Sequence, residues 1–356
     1  PVTQVSDLVV EDHDLVIATH GRAFWIMYDM DPLRQIRPAM AQEDVVLFEP
    51  RDVVRNLDNQ VNAYYYLGKD AEQVTFEFLD AAGEVIQADT ATRATKEEAE
   101  AEGQEGREGR GGGGGGRGGG GGRGRGGGGG SPSLNEGSHV FRWNMRYPGY
   151  TDFEGRIFWA AGNQGPAALP GRYSVRLTVD GVTRSQAFEI LMNPRAENDG
   201  VTLADLRQQF DLAMRIRDRV SAANEAVIRI RGIKEQVDDR MEATEEQAID
   251  ELGETVKERL SDVEGEIHQV RNRSNQDPLN FPIKLNNKLA ALMGVVGGSE
   301  NRPTDQSYEV FQHLDGLLDA ELEQMELVIQ QDVARLNELL REAGLEPIET
   351  EKLITD

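Results

Sequence analysis

The sequence contains no cysteine, so it has no disulfide, no thiolate metal site and no cysteine nucleophile. Its five histidines are His13, His20, His139, His268 and His313, and no two stand at a His-x-x-x-His or similar ligand spacing. Asp12 and Asp14 are the nearest approach to a calcium loop, but they fall short of the ligands that ion needs. We therefore expect no metal and no cofactor. Aromatic residues make up 6% and hydrophobic residues 38% of the chain. Both values are low because of a glycine tract and a charged second half, so the segments must be read separately.

Long apolar runs are also missing, and no membrane span is expected. The opening Pro1-Val2-Thr3 lacks a charged-then-apolar leader. A start at proline suggests that upstream sequence, with any export signal, has been lost. Acidic residues number 63 against 38 basic ones, a formal net charge of -25. Such a charge favours solubility and repels phosphate backbones, so nucleic acid is not an expected partner.

What is present divides into modules, since 356 residues suffice for two or three domains. Leu8-Val9-Val10, Leu15-Val16-Ile17-Ala18 and Ala23-Phe24-Trp25-Ile26-Met27-Tyr28 read as three short strands, with a turn at Gly21. Three strands need covered edges and faces, so residues 1–40 look like a fragment of a larger sheet. Residues 41–59 read as a linker carrying one short strand, Val45-Val46-Leu47-Phe48.

Period-two alternation follows in residues 60–195: Val74, Phe76 and Phe78; Phe141, Trp143 and Met145; Tyr173, Val175, Leu177 and Val179. Asp180-Gly181 is a hairpin turn signal. The pattern predicts an antiparallel β-sandwich of immunoglobulin or fibronectin type. It is interrupted at 92–135 by a Glu/Gly/Arg-rich loop that has almost nothing apolar to offset its ordering entropy, and disorder is expected there. That arginine-glycine tract lacks interleaved Phe or Tyr, so we read it as an insertion rather than an RNA-binding segment.

From 196 to 356 the period lengthens to that of helices. Thr202 and Asp205 form a capping-box pattern that starts a helix at Leu203. Apolar stripes then run Leu203 to Ile230, Ile249 to Val270, Ile283 to Val296 and Tyr308 to Leu340, with an exit at Gly344 and Pro347. An antiparallel helical bundle follows. Its acidic pairs, such as Glu245-Glu246, read as solvated faces rather than catalytic carboxylates.

The stretch Asp14-Leu15-Val16-Ile17-Ala18-Thr19-His20-Gly21-Arg22-Ala23-Phe24-Trp25-Ile26 resembles the last blade of bacterial β-propellers with sortilin-like or BNR (Asp-box) repeats. These are often labelled glycosyl hydrolases or sialidase-like. Leu285-Asn286-Asn287-Lys288-Leu289 and Arg302-Pro303-Thr304-Asp305-Gln306-Ser307-Tyr308 are similar to the C-terminal helices of the same proteins, and Leu169-Pro170-Gly171-Arg172-Tyr173 to their middle domain. The resemblance implies an upstream propeller, residues 1–40 as the end of its last blade, and a secreted or periplasmic location. It does not transfer catalysis. The Asp-box pattern, an arginine cluster and a tyrosine nucleophile are absent from the sequence, so no catalytic residue can be mapped.

The ligand-binding candidates are His20, Arg22 and Trp25 near a blade turn, and Tyr147 and Tyr150 in the loop Arg146-Tyr147-Pro148-Gly149-Tyr150. Trp143 is assigned to the core, and Trp159 is left open between core and surface. The expected role is a non-catalytic structural and interaction region. Its partners would be a protein or a glycan, or a second copy through the helices. The alternative is an accessory, carbohydrate-binding part of a sialidase-like glycoside hydrolase whose catalytic residues lie upstream.

Overall fold

The computed structural model describes residues 3–93 and 130–350. They form two compact units. One comprises the described residues up to Tyr147 together with Ala168–Pro194; the other comprises Pro148–Ala167 and the described residues from Arg195 onward. The first is built of β-sheets and the second of helices.

In the β unit, β1 (Val5–Glu11), β2 (Asp14–Thr19) and β3 (Phe24–Met27) form an antiparallel sheet in that order. Asp12, at φ 48°, turns the first hairpin, and Gly21, at φ 80°, helps turn the second. A short helix, α1 (Asp31–Gln35), follows with proline in its first turn, where the missing N–H is harmless. Asp31 ties it back, pairing with His13 Nδ1 at 2.5 Å and accepting from Arg34 at 2.9 Å.

Residues 41–59, expected as a linker with one short strand at Val45–Phe48, carry that strand as β4 (Val45–Leu47) and a further one, β5 (Val53–Val54). A strand of two residues is too short to carry a readable alternation. The remaining strands are β6 (Val61–Leu67), β7 (Gln73–Leu79), β8 (Val85–Thr92), β9 (Gly137–Trp143), β10 (Gly171–Val179) and β11 (Val182–Leu191). One sheet has the order β5-β11-β10-β7-β8 and the other β4-β6-β9. Their inward residues share one aromatic core, in which Phe76 stacks on Phe141 at 4.7 Å and Phe78 on Trp143 at 5.0 Å. The buried Trp143 indole donates to the Arg146 carbonyl at 2.9 Å.

Most of the Glu/Gly/Arg-rich stretch expected to be disordered, 94–129, lies outside the described residues. Its described far end is anchored. The Ser133 N–H donates to the Tyr65 hydroxyl at 2.7 Å, and the Leu134 carbonyl accepts from Ala71 at 2.8 Å. The expected boundary at 135 is therefore several residues late.

In the helical unit, α2 (Pro194–Asn198) leads into the 40-residue α3 (Leu203–Glu242). The Thr202–Asp205 capping box is made in both directions, at 3.2 and 2.9 Å. Then come α4 (Gln247–Ile267), α5 (Leu285–Gly297) and α6 (Asp305–Val328), a π turn over Ile329–Val333, and α7 (Ala334–Glu342). Gly344, at φ 73°, closes α7, and Leu345 N–H reaches back to the Leu340 carbonyl at 2.8 Å. One core joins these helices through Ile216, Val227, Leu260, Leu289, Phe311 and Leu336.

Two residues placed in the apolar stripes by sequence are exposed. Leu203 stands at the first position of α3, and Val270 lies beyond the end of α4. Residues 148–167, expected within the sandwich, instead pack on the helical core through Tyr150, Phe153, Phe158 and Ala161.

Candidate functional site

Cross-strand register fixes which residues of the N-terminal sheet share a face. Leu8 pairs with Ile17 and Ile17 with Trp25; Val10 pairs with Leu15 and Leu15 with Met27. One face therefore carries Leu8, Val10, Leu15, Ile17, Trp25 and Met27. The other carries Val9, Val16, Ala18, Phe24 and Ile26, with Asp7 and the paired Glu11 and Asp14. Both faces carry a run of apolar residues, yet every residue of β1 and β3 is exposed and β2 is only half-buried. Phe24 reaches 74% exposure. A sheet that meets water normally shows one polar face, so apolar residues on both sides are the pattern of a sheet buried on both sides.

His20 and Arg22 sit in the exposed β2–β3 turn. The turn is held by Thr19, whose N–H and hydroxyl both donate to the Ala23 carbonyl, at 3.2 and 2.7 Å. Ala23 lies at φ 61°, a left-handed conformation that is strained for a residue with a Cβ. Trp25 Nε1 donates to the Arg22 carbonyl at 3.1 Å. The topology thus gathers His20, Arg22 and Trp25 at one end of the sheet.

Tyr147 and Tyr150 fall in different units. Tyr147 is half-buried against the β core, and Tyr150 belongs to the helical unit. Tyr150 is 3% exposed, its hydroxyl donates to the Gly162 carbonyl at 3.1 Å, and burial pushes its phenol up to about 12. Its ring is therefore packed into the core of the helical unit rather than displayed on the surface. Trp159 is the exposed aromatic of this segment, at 43%.

The Asp14 carboxylate accepts from the Asp29 N–H at 3.0 Å and so buttresses the hairpin. Among the described residues no group of three or more His, Cys, Asp or Glu side chains converges.

A constellation that the sequence reading missed lies in the helical unit. Asn224 on α3, His268 just after α4, and Asn286 and Asn287 on α5 are all buried, with Glu264, Gln269 and Asn272 beside them in sequence. Asn286 Nδ2 reaches both Asn224 Oδ1 at 3.0 Å and His268 Nδ1 at 3.2 Å. Asn286 Oδ1 accepts from the Asn287 N–H at 2.8 Å. The outer arms of this network grip the main chain of residues 148–167. Asn224 donates to the Thr151 carbonyl at 2.7 Å, Asn272 donates to the Ile157 carbonyl at 3.3 Å, and Ser221 accepts from Thr151 N–H at 3.0 Å. Asn287 accepts from the Trp159 N–H at 2.8 Å and donates to the Trp159 carbonyl at 2.9 Å.

A non-repetitive segment has no ladder to satisfy its own N–H and C=O groups, and these amides take that place. The residue signal is present in the sequence. Asn224 occupies a core position between Val220 and Val227, and two adjacent asparagines open the apolar α5.

No helix among the described residues is long and apolar enough to cross a membrane. No protein-family model matches the chain, and no curated protein does. Among solved structures, CopC from Methylosinus trichosporium OB3b is 10% identical, over 42% of this chain and 95% of that one, with a TM-score of 0.18. Dimeric latent PorU from Porphyromonas gingivalis is 12% identical, over 51% of this chain and 12% of that one, at 0.20. The structure described as pT26-6p is 15% identical, over 84% of this chain and 49% of that one, at 0.16. Scores this low give no ground for assigning fold or function, and they name no family for this chain.

Proposed function

We propose that this chain is the non-catalytic C-terminal structural and interaction region of an exported, sortilin-like BNR-repeat β-propeller protein, with β1–β3 the end of its last blade. The observation that carries the reading is the N-terminal sheet, with apolar residues on both faces and, among the described residues, open at both edges. Such a sheet is stable only between further layers, and a propeller blade, stacked between neighbours, has that environment. The two sheets of the β unit, sharing one aromatic core, serve in this reading as an immunoglobulin/fibronectin-like sandwich. The helices serve as an antiparallel bundle for docking a protein partner or a second copy. An assay of the chain against fluorogenic sialosides and other glycosides tests the non-catalytic part. No turnover is expected, and measurable turnover ends the proposal.

A second reading, an accessory carbohydrate-binding part of a sialidase-like glycoside hydrolase, is favoured by Trp159. Its main chain is held at N–H and carbonyl by the buried Asn287 while its ring stays part-exposed. A rigid exposed aromatic is a suitable stacking surface for a sugar ring. Glycan-array binding that is lost on Trp159→Ala supports this reading, and absence of binding to any glycan removes it.

A further inference from the structure

The segment 148–167 is held on the helical unit by a few buried side chains rather than by secondary structure. Phe153 packs edge-to-face on the His268 imidazole at 5.0 Å. The Arg231 guanidinium lies 5.0 Å from the Phe153 ring centre, and that of Arg156 lies 4.3 Å from the Phe158 ring centre. His268 itself accepts at Nδ1 from Asn286, the residue that also bonds Asn224 and orients Asn287. One ring thus contacts both the strap's aromatic anchor and the amide that organises the strap's main-chain grips. We propose that residues 148–167 are an acid-sensitive latch on the helical unit, released when His268 takes up a proton.

The charges around the ring give the direction. From α3 come Arg231 and Lys234, both bonded to Glu264 of α4, at 2.7 and 3.1 Å. From the strap comes Arg156, bonded to Asp152 at 3.0 Å. From α5 comes the uncharged Asn286. Three cations already answer two carboxylates here, so an imidazolium would be a fourth cation without a carboxylate of its own. It would also present a second donor to the Asn286 amide, which now donates to the ring. Protonation therefore breaks the Asn286 bond and leaves a buried charge, and both are relieved when the strap lifts and water enters. Burial, with Arg231 next, already holds the imidazole down to about 4 from the ordinary 6.5. By linkage, an opening that restores the ordinary value becomes more favourable by about 80-fold between pH 6.5 and pH 4.

Hydrogen exchange of the full chain, followed by mass spectrometry and corrected for intrinsic pH dependence, measures this opening in peptides covering 148–167. The wild type should lose protection by about 80-fold as pH falls from 6.5 to 4. His268→Gln, which keeps an acceptor for Asn286 and cannot protonate in this range, should show a much flatter profile. Equal pH dependence in the two proteins overturns the latch. Should the variant fail to fold, imidazole and strap amide signals in the wild type by NMR must share one midpoint. Separate midpoints overturn it equally.

Discussion

Asn287 grips Trp159 from both sides of the residue: its carboxamide oxygen accepts from the Trp159 N–H at 2.8 Å, and its nitrogen donates to the Trp159 carbonyl at 2.9 Å. The partners are 128 positions apart in sequence. Asn287→Ala removes both bonds and leaves two main-chain groups unpaired, at a cost of roughly 2–4 kcal/mol. Urea unfolding should show a lower midpoint, whereas Trp159→Ala should change the stability by less than about 1 kcal/mol because the ring is part-exposed. Equal effects would mean that the ring, not the main chain, is what matters.

Gly149 has a different constraint. A Cβ there would stand 2.6 Å from the Asn163 main-chain carbonyl oxygen and 2.2 Å from its side-chain oxygen. Backbone cannot move aside as a rotamer can, so Gly149→Ala should destabilise by about 1–3 kcal/mol. At Gly253 the nearest atom is the thioether sulfur of Met241, in a flexible side chain, at 2.6 Å. Gly253→Ala should therefore be milder, offset by up to about 1 kcal/mol of helix propensity. Thermal melts of the two variants make the comparison.

Buried and part-buried ion pairs should differ. Glu264, 5% exposed, bonds Arg231 and Lys234 at once, whereas the Glu77–Arg176 pair, bidentate at 2.6 and 2.7 Å, lies on an outer sheet surface. Glu264→Ala should cost roughly 1–3 kcal/mol. Glu77→Ala should cost under about 1 kcal/mol and less still in high salt. Chemical denaturation at two ionic strengths reads both.

The pH dependence of global stability has a definite sign. His268 is held at about 4 when folded against 6.5 when unfolded, so the unfolded chain binds the extra proton. The associated stability is whole above 6.5 and is lost as pH falls from there toward 4, by roughly 3 kcal/mol in all. The difference in unfolding free energy between wild type and His268→Gln should change across that window and be constant above it. A difference that changes only above about pH 7 would contradict the assignment.

Much of the fold can be read from residue order because its cause is local. Phe141, Trp143 and Met145, like Tyr173, Val175 and Leu177, alternate because each strand has one buried face. Thr202 and Asp205 announce α3 because a cap is a contact over three residues. Residues 148–167 carry no such period. Their path is set by Asn224, Asn272 and Asn287, which stand 73 to 128 positions away. Tyr150 reads as a surface aromatic for the same reason, since nothing near it in sequence reveals the helical core that buries it. His20, Arg22 and Trp25 share one turn and strand simply because they are neighbours in sequence, a proximity that needs no distant partner.

The N-terminal sheet offers the most direct test. Hydrogen exchange at the amides of β1, β2 and β3 should be fast in this chain alone, where, among the described residues, both edges are open and β1 and β3 are exposed. The same amides should be strongly protected in a longer protein that carries the proposed propeller upstream. Slow exchange already in this chain, or fast exchange in both, would contradict the claim that these strands belong between further β layers.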